Sequence, residues 1–394
     1  VTPSLTIRIS LGLAAGAALC ALSGCRNHDF PEYPANYREF AYVANGGSNT
    51  VSIFDVVHVR LDREIQVGQN PTGVAANPKR NEIYVVNSGN GQANGSVSVI
   101  DAEKNAVVAT IPVHKHPHFV DVAPSGDLAY VANAGSNSVS VLDLKTRREV
   151  AVAGTGESPG VARISPDGKS LVVTNRIGNS VSIFQTNSPG IPQIRKVVEG
   201  CPGATDAVIL PDSSKAFVAC SGGHQIMAIA LAHSADATGP AQPDAFDALL
   251  DVGKTPVHLA LKPDGGEIFV SNFDSNSISE VITSTNDVSG AYLMGSNPVR
   301  GLVTQDNSLL YESNFRSQEI SLYSIDDGKR IGNPIHVGDG PDALAISSAG
   351  HLLFAVDARS GDVAVIRTST RSLFTLLPTG RQPNAIAIKA FQLP

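Results

Sequence analysis

The chain predicts an all-β fold made of repeated four-stranded antiparallel units, on three observations. A proline-led phrase returns at Pro71, Pro117, Pro159, Pro202, Pro256, Pro298, Pro341 and Pro383, in steps of 46, 42, 43, 54, 42, 43 and 42 residues. Within each period, short apolar–polar alternations of strand type are separated by turn residues. Beyond residue 25 no stretch shows the periodicity of an amphipathic helix. A repeat of this length with four strands per period signals a propeller blade.

The unit that opens at Pro117 shows the pattern in order. His118-Phe-Val-Asp-Val-Ala123 alternates and reads as the innermost strand. Pro124-Ser-Gly-Asp127 is turn chemistry, with proline fixing φ and glycine allowing a positive one. Leu128-Ala-Tyr-Val-Ala-Asn133 is the second strand, and Ala134 to Ser138 turns the chain. Val139-Ser-Val-Leu-Asp143 is the third strand, and Glu149 opens the fourth. Asp143 closes its strand, as Asp55 and Asp101 do in theirs, because a short carboxylate bonds amides two residues on. Second strands elsewhere end in Asn45, Asn87, Asn175, Asn272 and Asn314, and an amide at a strand end can hold the following turn.

Seven units are complete, and the eighth stops after one strand, Asn384-Ala-Ile-Ala-Ile-Lys389. The segment before Pro71 holds the missing parts: Tyr42-Val-Ala-Asn45, Val51-Ser-Ile-Phe-Asp55 and Arg63-Glu-Ile-Gln-Val67. The C-terminal strand is therefore expected to complete the N-terminal blade, which removes exposed sheet edges. The expected count is eight blades, with seven as the alternative.

This phrase resembles the YVTN family of β-propeller repeats, found in bacterial and archaeal envelope and surface-layer proteins. The resemblance covers roughly residues 39–394 and is specific for the fold, because it recurs at one spacing. Cys220 and Asp357 depart from it by replacing the asparagine, and the fourth complete unit carries an insertion around residues 233–243. The resemblance implies a platform. Related propellers include lactone-hydrolysing and lyase enzymes that build their sites at the channel mouth.

Residues 1–25 read as a lipoprotein signal peptide. Arg8 supplies the positive start, Leu11 to Leu22 the apolar run, and Leu22-Ser-Gly-Cys25 the lipobox. Cys25 is expected to be retained and lipidated. Residues 26–38 then form a polar, proline-punctuated tether, and residues 39–394 a single propeller domain. Arg26 after the cysteine resembles outer-membrane cargo, facing the periplasm. The net charge of −7 and pI near 5.8 offer no basic face for nucleic acid. A monomer is expected.

Four candidate site features remain. Cys201 and Cys220 lie at matching ends of adjacent strands, and in an exported chain they are expected to form a disulfide. His114, His116 and His118 would point one way in an extended segment, at a spacing suited to a divalent metal. The channel mouth is expected to collect His118, His258, Arg300 and Asp342, which follow the strand-opening prolines. Gly89-Asn-Gly91 imitates a dinucleotide loop, but no helix follows it. No catalytic set is complete, so the expected function is an envelope-anchored binding or scaffolding module. Its partner would be a protein, peptide or glycan, with no certain cofactor. The alternative is a channel-mouth hydrolase or lyase, lactonase-like and metal-assisted.

Overall fold

The computed structural model describes residues 31–91, 93–186, 190–233 and 241–394. They form eight antiparallel blades, each a four-stranded sheet except the seventh, in which the outer strand is broken into Lys329–Arg330 and Ile335–His336. The one helical element among the described residues is a 3₁₀ turn at Phe273–Ser275. The first blade pairs Arg60–Gln66, Thr50–Asp55, Tyr37–Asn45 and the C-terminal Pro383–Gln392, in that order. The expected closure is thus seen, with Val43 opposite Ile386 and Ala41 opposite Ile388.

The innermost strands of blades 2 to 8 are Pro71–Ala76, Pro117–Val122, Pro159–Ile164, Ala204–Ile209, Pro256–Leu261, Pro298–Val303 and Pro341–Ile346. They run in one direction around the axis. Each is interrupted near its start by a register shift, for example between Pro256 and His258 and between Pro298 and Arg300. One extra residue bulges there, which re-aims the side chains beside the channel.

The core lies between blades. Tyr84, Val86, Val97 and Val99 of blade 2 pack against Val120, Ala129, Val131 and Leu142 of blade 3, and the same contact recurs around the ring. Second and third strands are covered on both faces by neighbouring blades, so they read as near-continuous apolar runs. Burying each such valine contributes about 1.5–3 kcal/mol. Outer strands keep one face in water and alternate, as in Arg148–Gly154.

Cys201 and Cys220 form the expected disulfide, with Cα atoms 4.9 Å apart. The signal peptide and Cys25 lie outside the described residues, as does most of the insertion in blade 5.

Candidate functional site

A cavity of about 350 Å³ opens on the propeller axis. The bulges place Thr72, His118, Val257 and Asn384 on its wall, and Arg163, Thr205, Asp206 and Arg300 add to its polar lining. These side chains do more than line a hole. The innermost strands of blades 1 to 7 each reach the backbone of the next blade through one side chain beside the channel.

Asn384 Nδ2 of blade 1 donates to Pro71 O at 2.9 Å. Thr72 Oγ1 of blade 2 donates to Pro117 O at 3.5 Å. Asp121 of blade 3 accepts from Ile164 N at 3.1 Å. Arg163 Nε of blade 4 donates to Ala207 O at 3.1 Å. Asp206 of blade 5 accepts from Leu259 N at 3.1 Å. His258 Nδ1 of blade 6 accepts from Gly301 N at 3.2 Å. Arg300 Nε of blade 7 donates to Asp342 O at 3.4 Å. Among the described residues no such bond crosses from Asp342 of blade 8 to blade 1.

The charges in this belt are unevenly satisfied. Asp206 is buried and saturated. It accepts from the Leu259 and Ala207 amides and lies 3.6 Å from Arg163 Nη2 and 3.7 Å from His258 Nε2. Burial works to raise its pKa; the His258 ring, Arg163 and Arg300 outweigh it and hold the carboxyl below the ordinary range. Arg163 also stacks on the Phe119 ring at 4.5 Å. Arg300 is different. It is half-buried, makes no ion pair among the described residues, and its two Nη groups donate to no protein atom there.

Burial, and then Arg300, push the His258 imidazole down to about 3. Its Nδ1 is occupied by the Gly301 amide, so its proton sits on Nε2, toward Asp206. His118 is open to solvent at the mouth yet ringed by protein. That surrounding protein, then Arg176 and Arg300, lower its pKa. Burial raises Asp342 and Asp121.

Behind Arg300 lies Glu312, which takes the place of the valine that most second strands carry there, such as Val43, Val131 and Val270. It is fully buried, and neither carboxyl oxygen receives a well-formed hydrogen bond. Burial pushes it up to about 8, against the neighbouring Ser271 hydroxyl and Arg300. A β-carbon at its cross-strand partner Gly301 would sit 2.9 Å from Glu312 Oε2 and 2.9 Å from Ala260, so this seam admits only glycine there.

The expected mouth residues are therefore brought together only in part. His118 and Arg300 face the cavity. His258 instead turns into the seam between blades, because the bulge after Pro256 lets Val257 take the channel wall. Asp342 contributes its carbonyl to Arg300. The histidine triplet is corrected. His114 sits on the outer strand Ala106–Lys115, 3.5 Å from Glu149, and His116 has a left-handed φ of 48° that ends the alternation. Only His118 belongs to the channel, and among the described residues no three His, Cys, Asp or Glu side chains group to hold a metal ion. Sequence reading missed Asp121, Arg163, Asp206 and Glu312. A comparison of each unit with its siblings would have exposed Glu312.

No family model matches the chain. None of the curated proteins matches it in sequence. Among solved structures it is similar to the dihydro-heme d1 dehydrogenase NirN, with TM-score 0.73, 16% identity, and coverage of 91% of this chain and 76% of that one. A candidate 6-phosphogluconolactonase from Bacteroides uniformis aligns with TM-score 0.58 and 14% identity over 90% of this chain and 100% of that one. Kuenenia stuttgartiensis hydrazine synthase aligns with TM-score 0.55 and 20% identity over 83% and 92%. At these identities the likeness shows the fold, a β-propeller.

Proposed function

We propose that the chain is an envelope-anchored propeller of YVTN type that binds a small molecule in its axial cavity without chemical change. The observation that carries this reading is Arg300, a half-buried guanidinium at the cavity wall with unused donors. Burying a cation without a carboxylate is costly, so such a group is retained where a ligand completes it. A cavity of about 350 Å³ suits a small ligand rather than a folded partner. The NirN neighbour, named for a haem substrate, and the lactonase neighbours are consistent with a small-molecule ligand. The lipobox at Cys25 supports export and a lipid anchor.

Catalysis is the second reading, and His118 is what favours it. A neutral imidazole facing the cavity could serve as a general base toward a lactone. His258 is unsuited, because both its ring nitrogens are engaged inside the seam.

The test is native mass spectrometry of the protein purified from its own cells, beside Thr205→Trp, which fills the cavity. A small molecule carried by the first and lost from the second is expected. A protein that carries nothing in either form, and gains nothing from a metabolite extract, would defeat the binding reading. Turnover of a phosphosugar lactone that is lost in His118→Ala would replace it with catalysis.

A further inference from the structure

The belt has a spare cation and an open link at the same place, and this identifies the chemistry of the ligand. We propose that the cavity binds an anionic group, a carboxylate or phosphate, through the free face of Arg300, with His118 at its mouth. This rests on the small-molecule reading above and narrows it.

The argument is one of elimination among the charges. Two guanidiniums face the cavity, Arg163 and Arg300. Asp206 takes Arg163, and Phe119 covers its face. Arg300 is fixed only at Nε, by the Asp342 carbonyl, which leaves a two-pronged donor fork aimed away from that bond. Such a fork matches the two oxygens of a carboxylate or phosphate. The site sits in a chain of net charge −7, so the preference is local and not a property of the whole surface.

The titratable groups that feel Arg300 come from five blades. Blade 3 contributes His118, blade 5 Asp206, blade 6 His258, blade 7 Glu312 and blade 8 Asp342. Falling pH favours an anion here. His118 gains a positive charge as pH falls, and Asp342 loses its negative one early. Glu312 acts in the opposite direction. It is neutral below about 8, and above that its charge lies behind Arg300 and competes with the ligand. Glu312 is thus a positioning residue whose neutral state leaves Arg300 available.

Inorganic phosphate, pyrophosphate and citrate are titrated by calorimetry into the full-length protein at pH 6, 7 and 9. Binding at pH 6 and 7 that weakens at pH 9 is expected. Arg300→Gln keeps a donor for the Asp342 carbonyl, and should lose about tenfold or more in affinity. Glu312→Gln should bind as well as the parent at pH 7 and retain most of that affinity at pH 9. Preference between phosphate and citrate tells a phosphate ligand from a carboxylate one. Failure of all three anions to bind, or binding unaffected by Arg300→Gln, would overturn the anion. A neutral molecule lost on Thr205→Trp would then leave the small-molecule reading standing alone. An alkaline loss that persists in Glu312→Gln would remove Glu312 from the account.

Discussion

At the residue scale, the recurrent asparagine is a clasp. Asn45 Nδ2 donates to Thr50 Oγ1 at 3.0 Å and Ser52 Oγ at 2.9 Å, tying the second strand to the third across the turn. Asn87, Asn175 and Asn272 repeat this with their own serine pairs. A glycine three residues before the proline that opens the same blade roofs the amide: a β-carbon at Gly68 would lie 2.6 Å from the Asn87 side chain. Blade 8 breaks the rule, with Asp357 in the asparagine seat, and Asp362 and Ala364 where the serines stand. Asp357 is fully buried, accepts from Gly338 N at 3.0 Å, and faces Asp362 with one oxygen of each carboxyl unpartnered. Burial, and then Asp362, raise Asp357 to about 8. The folded value lies above the ordinary ~3.9, so stability present below pH ~4 is lost as pH rises through about 8. Asp357→Asn restores an amide donor and removes the titration. Its advantage over the parent should be about 1–2 kcal/mol at pH 5 and grow to on the order of 5 kcal/mol at pH 9. Urea unfolding at pH 5, 7 and 9 checks this. A pH-independent difference would mean that Asp357 is not held protonated by its burial.

At the element scale, blade 5 replaces the clasp with a covalent bond. Cys220 takes the asparagine seat, and Cys201 approaches from the segment before Pro202, a separation of 19 residues. Closing a loop of that size removes denatured-state entropy worth about 3 kcal/mol. The double variant Cys201→Ser/Cys220→Ser should lose about 2–4 kcal/mol in urea unfolding. Reductant should shift the parent midpoint to match. An unshifted midpoint would show that strand pairing alone holds this blade. The cysteine pair was legible because both residues occupy strand ends whose partners the repeat defines. Blades and closure were legible for the same reason: alternation and turn residues are local signals. The belt was not. Its side chains are aimed by the bulge after each proline, and a bulge inverts the alternation counted from that proline. His258 was misplaced in this way. The triplet at His114, His116 and His118 failed through a single left-handed residue, which no composition rule requires of histidine.

At the scale of the whole molecule, the segment around Tyr33 and the cavity mouth lie at opposite ends of the inner strands. Tyr33 stacks on Tyr37 at 4.5 Å and reaches His351, in the turn that follows the inner strand Pro341–Ile346. His118 and Arg176 stand at the other end, near the strand-opening prolines. A propeller held through Cys25 would therefore turn its mouth away from the membrane and toward the solvent that carries the ligand. Anchor and site are then separable. A single acyl chain holds a protein only marginally, whereas the several chains of a mature lipoprotein hold it stably. Cys25→Ser should therefore move the protein from the membrane pellet to the soluble fraction. It should leave the affinity for the channel ligand unchanged, because Tyr33 packs at the opposite ends of the inner strands from Asn384 and Arg300. Fractionation followed by calorimetry on both forms measures the two effects independently. Persistence of the variant in the pellet would mean that the folded disc itself adheres to lipid. A changed affinity would mean that the anchor helps to shape the cavity, and the two ends of the molecule would then be coupled through the inner strands.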